Sequence, residues 1–66
     1  MKITLNGEQH EIDAETNLLQ FLTDAGLAEK RIAVEINRRI VPRSTFAEQS
    51  IQEGDRIEIV HAIGGG

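Results

Sequence analysis

The segment KITLNGEQHEI, residues 2–12, places an Asn-Gly pair between two short alternating runs. In a two-residue type I′ turn both central residues take positive φ, a conformation that Asn6 and Gly7 adopt at low cost. Alternating runs joined by such a pair predict a β-hairpin. We therefore expect strands at about residues 2–6 and 8–12 to open the fold.

The next segment has the periodicity of a helix. Thr16 is placed to accept hydrogen bonds from the first free amides, and Gly26 to end the helix in the left-handed conformation. Together these signals predict a helix over about residues 17–25. Its apolar positions at helical spacing are Leu18, Leu19, Leu22 and Ala25.

Alternation returns in RIAVEIN, residues 31–37, and predicts a half-buried, central strand. Residues 37–39 predict a turn into a short strand, IVP, at residues 40–42. Pro42 has no amide hydrogen to donate, so it marks that strand as an edge or as its end. The two predicted faces of the central strand are Ile32, Val34 and Ile36 on one side and Ala33, Glu35 and Asn37 on the other.

The remaining chain predicts a connecting loop, which has room for a helical turn, and one last strand. Phe46 and Ile51 are the expected anchors of the loop, and Gly54-Asp55 is the expected turn into the strand. The strand itself is RIEIVHAI, residues 56–63, and it leads directly into the glycines.

This order of elements favours an α+β roll. One helix covers one face of a mixed sheet of four to five strands, and the first and last strands can pair in its middle. We expect a folded domain over residues 1–63, followed by a flexible glycine tail at residues 64–66.

The composition of the chain limits the classes of partner and chemistry that it can have. The 66 residues carry a net charge of −4 and contain no Cys, which excludes disulfides and disfavours nucleic acid as a partner. No stretch approaches the roughly 18 apolar residues of a membrane span, so we expect a cytoplasmic protein with no membrane partner. His10 and His61 are isolated in separate predicted strands, and we expect His61 to be partly covered. We predict neither a metal site nor a catalytic residue.

The distinctive chemical group is the C-terminal carboxylate of Gly66. Without Cβ atoms, Gly64, Gly65 and Gly66 can thread a narrow channel in a partner's active site. Such a tail needs a docking surface beside it. Ile57 and Ile59 are expected to face the core, which leaves Val60 and Ala62 on the opposite face and Ile63 at the exit. We therefore predict that Val60, Ala62 and Ile63 form the docking surface, extended by Ala33.

Three motifs, in order and at this length, resemble the ubiquitin-like sulfur carrier proteins, most closely those of bacterial thiamine biosynthesis. They are ITLNGE, AVEINRRIVPR and GDRIEIVHAIGGG. The resemblance implies a β-grasp fold and a carrier that is not itself an enzyme and binds no cofactor. It also implies that Gly66 is adenylated by an ATP-dependent activating enzyme similar to those of ubiquitin, and is then converted to a thiocarboxylate.

The resemblance further implies the partners. A desulfurase or sulfurtransferase would supply sulfur drawn from cysteine, and a thiazole synthase would receive it. Two related roles share the activation chemistry: the small subunit of molybdopterin synthase, and a modifier joined to lysines of other proteins. The alternative without covalent modification of Gly66 is a small interaction module whose glycines are a frayed end.

Overall fold

The computed structural model describes residues 1–61; residues 62–66 lie outside the described part of the chain. The sheet has five strands in the order β2-β1-β5-β3-β4, which confirms the predicted α+β fold with a mixed sheet. Within residues 1–61, no helix has the length and apolar character needed to cross a membrane. The elements are β1 (Lys2–Leu5), β2 (Glu8–Glu11), α1 (Leu18–Asp24), β3 (Ile32–Ile36), β4 (Arg39–Val41), a 3₁₀ helix (Arg43–Glu48) and β5 (Arg56–His61).

The opening hairpin is confirmed. Asn6 and Gly7 have φ of 48° and 86°, as a type I′ turn requires. The turn joins β1 to β2 in antiparallel register, with Leu5 opposite Glu8. Each of the two strands is one residue shorter than predicted.

The last strand lies in the middle of the sheet, as predicted. On one side β5 pairs in parallel with β1, where Leu5 lies opposite Ile57. On the other side it pairs antiparallel with β3, from Ile36 opposite Ile57 to Ile32 opposite His61. β4 forms an edge of the sheet, as Pro42 indicated.

Two turn asparagines extend these ladders with their side chains. β1 ends at Leu5, and the Asn6 Oδ1 then accepts a hydrogen bond from the Ile59 amide at 2.8 Å. At the start of β5, the Asn37 Oδ1 accepts from the Arg56 amide at 3.0 Å, and the Asn37 amide donates to the Arg56 carbonyl at 2.8 Å. Both asparagines have positive φ, so their side chains substitute for strand backbone at the ends of the pairing.

One hydrophobic core lies between the sheet and the helices. The 3₁₀ helix contributes Phe46 and the following loop contributes Ile51, so both predicted anchors are confirmed. Of the four apolar residues at helical spacing, Leu18 and Leu22 are buried, whereas Leu19 is 37% exposed and Ala25 is exposed as well. The face that packs on the core follows i, i+3, i+4 spacing, which is one stripe of a helix. It consists of Leu18, Phe21 and Leu22.

The predicted N-cap of α1 was wrong by one residue. Asn17, not Thr16, caps the helix: its Oδ1 accepts from the Gln20 amide at 2.8 Å. The Asn17 Nδ2 also donates to the Ala47 carbonyl at 3.2 Å, so a contact with the 3₁₀ helix selects the cap. Gly26 has a φ of 76° just after the helix, which confirms its predicted left-handed conformation.

The central position of β5 predicts a large penalty for truncating its core face. Ile57 is fully buried, and we expect Ile57→Ala to lower the free energy of unfolding by about 2–5 kcal/mol. The matched control is Val60→Ala on the opposite face of β5, with an expected loss below about 1 kcal/mol. Urea unfolding of both variants measures the difference, and equal losses would contradict the assignment of the two faces.

The Asn6 side chain predicts a second effect on β5. Asn6→Gly keeps the positive φ but leaves the Ile59 amide without its acceptor, and should cost about 1–3 kcal/mol. Asn6→Asp keeps an acceptor oxygen and should cost less. Urea unfolding, combined with hydrogen exchange of the Ile59 amide, tests this order. An Asp variant as unstable as the Gly variant would exclude the side-chain acceptor as the cause.

Candidate functional site

The outer face of the sheet is the side of β5 turned away from the core. Because successive side chains of a strand point to opposite faces, the burial of Ile57 and Ile59 places Glu58 and Val60 on this outer face. Val60 is 64% exposed, which is a high value for a Val in a central strand. The predicted exposure of Val60 beside the tail is therefore confirmed.

Two further apolar residues share this face. Ala33 lies directly opposite Val60 and is exposed, as predicted for the extension of the docking surface. Ile40 is 75% exposed and lies opposite Glu35. The sequence prediction missed Ile40, although its alternation with the buried Val41 could have indicated it. Ala33, Ile40 and Val60 together are called the outer-face patch below.

Two carboxylates lie within the same surface. Glu35 and Glu58 are direct cross-strand partners, and like charges in this relation repel each other. Neither forms an ion pair with another residue in the part of the chain that the structure describes. An apolar patch beside two carboxylates is suited to a protein surface that is apolar and carries basic groups.

The histidines lie elsewhere. His10 is exposed on the edge strand β2. His61 is exposed rather than partly covered, because it ends β5 opposite Ile32, which is itself only half-buried at the start of β3. Among residues 1–61, no group of three or more His, Asp or Glu side chains is arranged to hold a metal ion.

The remaining predicted site residues lie outside the described residues. They are the docking residues Ala62 and Ile63 and the tail residues Gly64, Gly65 and Gly66. The described structure ends at His61, in the middle of the sheet and one residue beyond Val60. The described end of β5 therefore adjoins the outer-face patch.

Comparison with known proteins gives the family. The family model described as the ThiS family matches residues 3–66, which includes the three terminal glycines. The sulfur carrier protein ThiS of Escherichia coli is 30% identical over 66 residues, which cover 100% of both chains. A crystal structure of the thiamine biosynthesis protein ThiS from Geobacter metallireducens superposes with a TM-score of 0.87 at 28% identity, with 100% of both chains covered.

A second kind of relative is much longer than this chain. The thiazole synthase of Magnetococcus marinus is 48% identical over 66 residues, which cover 100% of this chain but 20% of that protein. The chain thus spans about a fifth of that relative's length. With the family match over nearly every residue and a relative of the same length, the chain belongs to the ThiS family, the ubiquitin-like sulfur carriers with a β-grasp fold.

Proposed function

We propose that the chain carries sulfur for thiazole formation in thiamine biosynthesis, with the terminal carboxylate of Gly66 as the group that is modified. The observation that carries this proposal is the extent of the family match, which runs to residue 66 and so includes all three glycines. The match to a relative of equal length supports the same role.

The proposed chemistry starts at Gly66. A carboxylate oxygen of Gly66 attacks the α-phosphate of ATP in an activating enzyme, and pyrophosphate leaves. A sulfur nucleophile equivalent to hydrosulfide then attacks the acyl carbon, and AMP leaves with its bonding electron pair. The resulting thiocarboxylate is a stronger nucleophile than a carboxylate near neutral pH. In this scheme the chain is a co-substrate and catalyses neither step.

Thiazole synthase is the proposed acceptor of the sulfur. A thiazole synthase that contains a segment 48% identical to this chain supports the pairing, because carrier and synthase then belong to one polypeptide. The activating enzyme and the desulfurase or sulfurtransferase are further proposed partners. They follow from the chemistry, since the carboxylate needs activation and the sulfur needs a donor.

The outer-face patch is the proposed docking surface. The last strand places Val60 immediately before the tail, and Ile40 and Ala33 lie on neighbouring strands of the same face. Ala62 and Ile63, outside the described residues, are proposed to continue this surface. Docking near the base of the tail would direct the glycines into the partner's active site.

Removal of Gly66 tests the role of the tail. We expect the variant lacking Gly66 to keep the melting temperature of the wild type, because the described core ends before the glycines. It should form no productive thiocarboxylate and support no thiazole formation. Intact mass spectrometry after incubation with activating enzyme, ATP and a sulfur donor provides the measurement, with the replacement of one oxygen by sulfur as the expected change.

Ser44→Ala is the matched control, since it changes an exposed residue of the 3₁₀ helix and leaves the tail and its terminal carboxylate unaltered. This variant should still acquire sulfur. A protein without Gly66 that supports thiazole formation as well as the wild type does would refute the proposed function.

A charge on the outer-face patch tests docking. We expect Val60→Lys to raise the KM of the activating enzyme for the carrier by about tenfold, which corresponds to about 1.4 kcal/mol of lost binding. The neighbouring carboxylate of Glu58 should keep the variant folded. The matched control is Gln9→Lys, which places the same charge on the same face of the sheet but on edge strand β2. Equal KM increases would mean that only net charge matters.

A further inference from the structure

Arg43, the last residue of the motif IVPR, has contacts that the proposed docking surface does not explain. It begins the 3₁₀ helix, and its guanidinium reaches back to the segment between α1 and β3. The Nη1 donates to the Ala28 carbonyl at 2.9 Å, and the Nη2 donates to the Lys30 carbonyl. The guanidinium carbon also lies 5.6 Å from the centre of the Phe46 ring. One side chain thus joins the 3₁₀ helix to the segment between α1 and β3.

The segment that Arg43 binds connects α1 to β3 and has backbone hydrogen bonds of its own. It begins after α1 with the Leu27 amide donating to the Leu22 carbonyl, and the Lys30 amide then donates to the Leu27 carbonyl. Leu27 packs against the core while half-buried. Two residues beyond Lys30 the chain enters β3, so the bond to the Lys30 carbonyl fixes the approach to that strand.

The start of β3 supports the end of β5. Ile32 lies opposite His61, the last described residue before the tail. The Asn37 amide donates to the Arg56 carbonyl, so these two residues are a hydrogen-bonded pair. Along an antiparallel ladder such pairs alternate with pairs that are not hydrogen-bonded, so every second pair from Asn37 and Arg56 is hydrogen-bonded. By this alternation Ala33 and Val60 form a hydrogen-bonded pair near the described end of β5. A shift at the start of β3 would therefore move the described end of β5, from which the chain continues to the glycines.

Arginine is the residue type that this arrangement requires. Its planar guanidinium presents several N–H donors in a fixed fork, which can bind two carbonyls while one face lies over an aromatic ring. A lysine ammonium carries the same charge but is a point donor. Because Arg43 is exposed, its bonds contribute modestly to global stability, and their effect is mainly local.

We propose that Arg43 is a positioning residue of the carrier tail. By binding the Ala28 and Lys30 carbonyls it holds the start of β3, and through the Ala33–Val60 pair it positions the end of β5, from which the chain continues to the glycines. The proposal deepens the carrier function and rests on it. It also gives a physical role to the arginine of IVPR, which lies on the opposite side of the sheet from the outer-face patch.

The test compares Arg43→Lys with Arg38→Lys. Both variants keep the charge, and Arg38 lies in the turn between β3 and β4, near the start of β5 rather than its end. The hydrogen-exchange rates of the Ala33 and Val60 amides measure how stably β3 pairs with β5 at this point. Pyrophosphate release by the activating enzyme, at varied carrier concentration, separates KM from kcat. Arg43→Ala is a second variant. Its exchange rates and kinetics are interpreted only if its unfolding curve shows that the protein is folded.

We expect Arg43→Lys to speed exchange of both amides and to raise the KM for the carrier by about three- to tenfold, from the loss of charge-assisted hydrogen bonds. The kcat should change little, because the carboxylate itself is unaltered. Arg38→Lys should change neither quantity. A role in global stability alone would instead lower the folded fraction of Arg43→Lys without a specific rise in KM.

Unchanged exchange in a folded Arg43→Lys variant would overturn the proposal, and so would faster exchange with an unchanged KM. Failure of the wild-type protein to be adenylated at all would count against the carrier function itself. The exchange rates would in that case still decide whether Arg43 holds the start of β3.

Discussion

β5 forms hydrogen bonds along both of its edges, to β1 in parallel and to β3 antiparallel, and the rest of the domain is arranged around this pairing. Its inward side chains, Ile57 and Ile59, lie in the core between the sheet and the helices. Because the same strand leads to the tail, the base of the tail is attached to the most constrained part of the sheet.

The pairing of β5 is completed by side chains rather than by longer strands. β1 has four residues and meets β5 over only two register pairs. The Asn6 side chain supplies one further acceptor beyond β1, and the Asn37 side chain supplies one at the start of β5. A chain of 66 residues buries a limited fraction of its surface, so additional hydrogen bonds from turn residues matter for its stability.

Most of the fold could be predicted from local patterns. Asn6-Gly7 identified the hairpin because its turn type requires positive φ, and the alternation of Ile57 and Ile59 identified the inward face of β5. The errors arose where tertiary contacts decide between local alternatives. Thr16 and Asn17 are both competent caps, and the contact of Asn17 with Ala47 decided between them. Likewise, Leu19 matches the helical spacing as an apolar residue, but the core stripe of α1 is already filled by its neighbours.

The residues of the outer-face patch could be predicted from the sequence only in part. Val60 and Ala33 followed from alternation, whereas Ile40 required the register that places it opposite Glu35 on the outer face. The contacts of Arg43 had no signal in local periodicity, since the carbonyls that it binds are 13 and 15 residues earlier in the chain. A family motif marked Arg43, but only the folded chain relates it to the start of β3.

The energetics of docking favour a transient complex. Ordering three glycines in a partner's channel costs about 1–2 kcal/mol per residue, or about 3–6 kcal/mol in all. Full burial of a Val or Ile side chain contributes about 1.5–3 kcal/mol, and Val60 and Ile40 can gain only the fraction that is still exposed, 64% and 75%. The two residues of the proposed docking surface would then supply about 2–4 kcal/mol, which is less than the full cost of ordering the tail. The balance must come from contacts of the tail within the channel. In the proposed function the carrier would bind strongly only while its tail is engaged, so that it could leave one enzyme before delivering sulfur to the next.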